Sequence, residues 1–197
     1  MSITHMSSEL MVTEHIKENE YTWTLASRFG DMLDVAESFF GVRDKSYTLL
    51  GFEFWSGDHP IIRYSGNPTH IIIRLTERAQ TDVREAYYEL AQEIVHCLAP
   101  VPTDELPTNR LEEGVTMWFA HYYLKNKIGR SMPLPDENSP YRQAYDAVAP
   151  LLDNNPTCLK ELRKQKKFIE IKREEVLSAF PQIPEGTVDY LLSGFKS

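Results

Sequence analysis

Gln92-Glu93-Ile94-Val95-His96, followed further along by Leu111-Glu112-Glu113-Gly114, holds the residue types best suited to chemistry in this 197-residue chain. On a helix, positions 92 and 96 lie one turn apart, so their side chains start about 5–6 Å from each other, a span that one zinc ion bridges. Glu93 then projects beside the ion, where a carboxylate takes a proton from metal-bound water. A catalytic zinc keeps three protein ligands and one open position, and Glu113 supplies the third if the two segments pack together. The chemistry these spacings permit is metal-assisted hydrolysis. Gln92 is the weak donor, because an amide oxygen is neutral where an imidazole would bind more firmly.

The elements that must position these groups follow from period and punctuation. From residue 81 to about 98, Val83, Ala86, Tyr87, Leu90, Ala91, Ile94 and Leu98 form one apolar stripe at helical spacing, with Thr81 or Asp82 as cap. Glu85, Glu89, Gln92, Glu93 and His96 fall off that stripe and share another face. Pro100 and Pro102 stop the helix. Leu111, Val115, Trp118, Phe119 and Tyr122 predict a second helix over 110–127, ended by Gly129. Upstream, strand-like runs at 47–55, 61–64 and 69–75 are separated by Ser56-Gly57-Asp58-His59-Pro60 and Ser65-Gly66-Asn67-Pro68, which predicts an antiparallel meander. The β-branched run Ile71-Ile72-Ile73 implies burial on both faces of the third strand. Tyr21-Thr22-Trp23-Thr24-Leu25 has strand composition, and Asp31 is a candidate cap for a helix bearing Leu33, Val35, Ala36, Phe39 and Phe40 before Gly41. Downstream come a proline-rich loop at 132–140, a helix at 141–152, a helical region from Pro156 and a last short helix at 188–195.

The resulting expectation is an α+β fold in which an antiparallel or mixed sheet of three to five strands packs on the motif helix, followed by a mostly helical C-terminal part. Residues 1–20 read as a tail or weak helix. Residues 21–197 read as one domain, with sheet and motif helix in 21–99 and the helical part in 109–197.

An isoleucine-rich strand, the Gln92-to-His96 helix and a second helix opening with Leu111-Glu112-Glu113-Gly114-Val115, in that order over roughly 47–125, resemble the gluzincin zinc metallopeptidases, including their small single-domain forms. The resemblance implies a small zincin-like fold with His96 as a zinc ligand and Glu93 as general base and acid. It makes the glutamate just before the glycine, Glu113 and not Glu112, the third ligand. It also implies an oxyanion donor after that ligand, for which Tyr141 and Tyr145 are candidates by order along the chain; packing of the 141–152 helix with Ala144 and Val148 is the simpler role for each. The departure is Gln92 in place of the first histidine. Replacing a ligating imidazole costs at least the roughly 10–100-fold in affinity that follows loss of outer support alone. The expectation is therefore a peptidase-like protein, catalytically weak or inactive, that keeps a cleft for a peptide or protein segment. The alternatives are an active zinc peptidase using Gln92, His96 and Glu113, or a non-catalytic interaction module. Peptidases of this kind bind substrate along an edge strand by main-chain hydrogen bonds, and 69–75 is the candidate edge. Glu89, Glu93, Glu112 and Glu113 would make the cleft acidic and favour basic segments.

Composition narrows the rivals. With 42% hydrophobic and 25% charged residues the chain is globular in character, and its net charge of -8 argues against general affinity for nucleic acid or anionic membrane. The basic stretch Lys160, Arg163, Lys164, Lys166, Lys167, Lys172 and Arg173 is interleaved with Glu161, Glu170, Glu174 and Glu175, the pattern of a solvated helix face. Cys97 and Cys158 fit reduced thiols, with Cys97 in the core beside Ile94 and Leu98. No apolar run near the start resembles an export signal, and none is long enough to span a bilayer, so a cytoplasmic location is expected. A di-iron reading of Glu93-x-x-His96 lacks its second pair. Serine-hydrolase, phosphate-loop and dinucleotide patterns do not occur.

Overall fold

The structure is a computed structural model and describes residues 23–101, 108–164 and 166–196. The expected N-terminal tail, residues 1–20, lies outside the described residues. The protein is α+β: α1 (Leu25–Phe40), β1 (Thr48–Trp55), β2 (Ile61–Tyr64), β3 (His70–Thr76), a 3-10 turn (Glu77–Gln80), α2 (Val83–His96), α3 (Arg110–Tyr123), α4 (Pro140–Asn154), α5 (Lys160–Arg163), α6 (Arg173–Ala179) and α7 (Glu185–Leu192).

Of the strand expected over Tyr21-Thr22-Trp23-Thr24-Leu25, Tyr21 and Thr22 lie outside the described residues, and from Thr24 on a cap overrides the strand composition. Thr24 accepts from the Ser27 backbone N–H at 3.1 Å, and the Ser27 hydroxyl accepts from the Thr24 backbone N–H at 2.8 Å. This reciprocal pair starts α1 at Leu25 rather than at Asp31. Asp31 instead sits inside α1, where its carboxylate accepts from the Tyr123 hydroxyl of α3. Gly41 ends α1 as expected.

The sheet corrects the meander. Its order is β1-β3-β2, with β1 parallel to β3 and β2 antiparallel to it. The loop from 56 to 60 carries the chain out to an edge, and the turn after Tyr64 returns β3 between its predecessors. The third strand is thus central, so the expected edge at 69–75 is not one. Among the described residues β2 is an edge strand, and the motif helix packs against it and β3. Ile71, Ile73 and Leu75 are buried and Ile72 only partly so, which makes β3 a one-faced strand with period two rather than one covered on both sides.

α2 lies on β3 and β2 and is flanked by α1 and α3. Asp82 caps it, accepting from the Arg84 and Glu85 backbone N–H groups. Cys97 is buried in the core, as its place on the helix implies. α3 runs on through a π-helical turn, Leu124–Ile128, to Gly129. Phe39, Phe40, Trp118, Phe119 and Tyr122 interlock edge-to-face or stacked between α1 and α3.

The basic stretch is not one solvated face. It breaks into short pieces, and Arg163 is fully buried, with its guanidinium donating to the carbonyls of Phe40 (2.5 Å), Gly41 (2.6 Å) and Val42 (2.6 Å). These are carbonyls at the end of α1 and just beyond, which lack helical partners. Near the C-terminus, the expected helix at 188–195 stops at Leu192. Residues 193–195 then run extended beside the start of α3: the Arg110 N–H donates to the Ser193 carbonyl and the Phe195 N–H to the Thr108 carbonyl. That pairing fixes where α3 begins, and so where Glu112 and Glu113 sit.

Candidate functional site

α2 and α3 converge on a cavity of about 550 Å³, within the range of small-ligand sites. Glu85, Tyr88, Glu89, Gln92, Glu93 and His96 line it from α2, the off-stripe face read from the sequence. Glu112, Glu113, Thr116 and Met117 line it from α3, Ile61 and Ile62 from β2, and Asp58, His59 and Pro60 from the loop before β2.

Each side chain is held by its element. The loop folds onto Trp55, whose indole N–H donates to the His59 carbonyl at 3.2 Å; a side chain at Gly57 would overlap the Trp55 ring, at 2.0 Å. Glu89 is buried and fastened to the end of β3, accepting from the Thr76 N–H (2.7 Å) and hydroxyl (2.5 Å). Asn109 caps α3 by accepting from the Glu112 N–H at 2.9 Å. Gly114 lets α4 approach α3, since a Cβ there would come within 2.5 Å of the Ala144 carbonyl oxygen and 2.7 Å of the Val148 side chain. The glycine after the acidic pair is therefore a packing requirement that draws α4, and Tyr141 with it, toward the cavity.

His96 stands between two carboxylates. Its Nδ1 meets Glu112 Oε1 at 2.8 Å and its Nε2 lies 3.9 Å from Glu113 Oε1. Burial lowers the proton affinity of the imidazole, but the Glu112 hydrogen bond and the charges of Glu112, Glu113 and Glu93 outweigh it and raise the pKa to about 10. Protonated, His96 is a cation clamped by two anions. Glu113 also accepts from the Thr108 hydroxyl at 2.6 Å. Glu93, 7% exposed, is raised to about 7, mainly by burial and then by Glu113, Glu89 and Glu112 against the opposing pull of His96.

The structure brings Gln92, Glu93, His96, Glu113 and Tyr141 to one cavity. Burial, then Glu113 and Glu93, raise the Tyr141 pKa, and its ring rests against Phe195 at 4.8 Å. Tyr145 is not among the lining residues; it packs edge-on against His121, with ring centroids 5.4 Å apart. Glu112 gains a role that sequence reasoning missed, as the acceptor that orients His96. The doubled acid before Gly114 was the signal: consecutive helical residues diverge by about 100°, so one carboxylate can face each nitrogen of an imidazole lying alongside.

The donor set can be compared with what zinc requires. With Nδ1–H donating to Glu112, His96 would present a lone pair on Nε2 toward Glu113, the arrangement of a metal-binding imidazole with a carboxylate behind it. The 3.9 Å between Nε2 and Glu113 Oε1 is somewhat wider than the roughly 3.4 Å that two bonds of about 2.1 Å subtend in a tetrahedron. The third donor is only the neutral amide of Gln92. Among the described residues no three His, Cys, Asp or Glu side chains are placed to hold a metal ion. The site fits two strong zinc ligands but not the three a catalytic zinc needs.

No protein-family model matches the chain, and comparison with curated proteins and with solved structures gives no match either. Among the described residues no helix is long and apolar enough to cross a membrane.

Proposed function

We propose that this chain is a peptidase-like protein with a degenerate gluzincin-type zinc site, and that its cleft holds a peptide segment without hydrolysing it efficiently. The observation that supports this reading best is the convergence of Gln92, Glu93, His96 and Glu113 on one cavity beside the edge strand β2, with Glu112 behind His96. An edge strand offers unpaired main-chain groups to an extended peptide, and the adjoining cavity offers pockets to its side chains. Neither property needs a metal. Hydrolysis does: without a firmly held cation no water of low pKa forms for Glu93 to deprotonate. An amide at 92 weakens that grip, and an imidazolium at 96 must lose a proton before it can bind a metal.

The test pairs two measurements on chelator-treated protein, calorimetric titration with zinc and cleavage of a mixed fluorogenic peptide library. The reading expects weak zinc binding and turnover near background, together with saturable binding of library peptides. Stoichiometric tight zinc and robust turnover would instead establish an active peptidase using Gln92, His96 and Glu113. Absence of any peptide binding would overturn the cleft.

A further inference from the structure

Of the six carboxylates around the cavity, four already have partners and Asp58 is exposed to solvent. Glu89 accepts from Thr76, Glu112 from His96 and Glu113 from Thr108, while Glu85 lies 3.6 Å from the largely exposed Arg78. Glu93 is different. It is more than nine-tenths buried, lines the cavity, and accepts no hydrogen bond from any described residue. A buried carboxyl left in that state costs free energy unless something from outside completes it.

The walls beside it are apolar. Ile61 and Ile62 from β2 and Met117 from α3 line the same cavity as Glu93, apolar surface suited to an aliphatic chain. Excess negative charge over Arg78 and His96, together with an apolar approach, matches a guest with a greasy stem and a cationic head. A neutral donor would pair Glu93 more weakly and leave the excess charge unbalanced, and an anionic head would be repelled.

We propose that the cleft selects peptides bearing an alkyl cation, a lysine or arginine side chain or an amino-terminal ammonium, whose charge is placed against Glu93. This rests on the peptide-binding reading above and adds the chemical class of the guest. The stem lies between β2 and α3, and the head completes the hydrogen bonding that Glu93 lacks. The peptide backbone runs along β2.

The experiment uses the full chain in EDTA at pH 8 and follows fluorescence anisotropy of labelled hexapeptides, acetylated and amidated, that differ at one central position: lysine, arginine, norleucine or glutamate. A fifth peptide carries norleucine and a free amino end. The expected result is at least tenfold tighter binding of the lysine or arginine peptide, or of the free-amine peptide, than of the acetylated norleucine peptide. Whichever of these gains identifies the source of the cation. Glu93→Gln should reduce that preference to less than threefold while Glu174→Gln, an exposed carboxylate away from the cavity, keeps it, and circular dichroism checks that each variant is folded. Equal affinity for norleucine and the cationic peptides would overturn the selectivity and leave peptide binding standing. A preference that survives in folded Glu93→Gln would overturn the role of Glu93. Failure of every peptide to bind would overturn both readings together.

Discussion

Two cations withdrawn from solvent, the fully buried Arg163 and the partly buried His96, solve the same electrostatic problem in opposite ways. Arg163 donates to neutral carbonyls, those of 40–42 and of Lys166, and lines no part of the cavity. Burial lowers its pKa to about 10, still far above neutrality, so it stays charged and structural. His96 is met by carboxylates, and the neighbouring Glu93, on the wall of the cavity, accepts no hydrogen bond from any of the described residues. Burial of charge alone therefore does not mark a function; incomplete pairing beside a cavity does.

The largest effect should come from breaking the saturated region. Arg163→Ala leaves two buried carbonyls, of Phe40 and Gly41, and the part-buried one of Val42 without their donor and unties the end of α1, at a cost of about 3–5 kcal/mol by urea denaturation. If its effect stayed below about 1 kcal/mol, the contrast with His96 would lose its basis. Next is Gly114→Ala, which drives a methyl into the Ala144 carbonyl and Val148. Overpacking should cost about 1–3 kcal/mol, and the separation of α3 from α4 should also weaken peptide binding.

The acidic region sharpens the comparison through pH. His96 has a folded pKa raised from 6.5 to about 10, so the stability it contributes is complete below pH 6.5 and is lost as pH rises through about 10. Glu93 is also raised, from 4.5 to about 7, so the fold holds its proton more tightly than the unfolded chain does; that contribution is complete below pH 4.5 and lost as pH rises through about 7. Thermal midpoints of chelated protein should consequently fall in two stages with rising pH. Glu93→Gln should abolish the first stage and stabilise the protein by roughly 1–3 kcal/mol at pH 8. An unchanged profile would contradict the assignment of a strained carboxyl. The smallest change belongs to Glu112→Gln, which should lower the His96 pKa by roughly one unit or more, read by proton NMR of the imidazole. If the His96 titration did not move, Glu112 would not be its orienting partner.

That these side chains share one cavity was more legible in the sequence than the sheet beside it. Spacing along one helix places Glu85, Glu89, Gln92, Glu93 and His96 together because a helix repeats every 3.6 residues whatever surrounds it. The acidic pair on α3 reached the same cavity for the same reason once two helices packed. Sheet order depends on which strands meet across space, and the turns at 56–60 and 65–68 allow either a meander or the insertion of β3 between β1 and β2. Arg163 read as solvated because its partners are backbone carbonyls more than a hundred residues away, which no local pattern of charge reveals. Tyr145 and Tyr141 were equivalent by order along the chain, and only the packing of α4 against α3 turned one toward the cavity and the other toward His121.

The proposed function requires His96 and Glu113 to retain the ligand geometry of a zinc site from which the donor at position 92 is lost. Zinc titration of chelated native protein and of Gln92→His, by isothermal calorimetry with metal content checked after dialysis, tests it most directly. The account expects native protein to retain well under one zinc per chain and the histidine variant to gain about tenfold or more in affinity. Tight stoichiometric zinc in the native chain, or no gain in the folded variant, would contradict it.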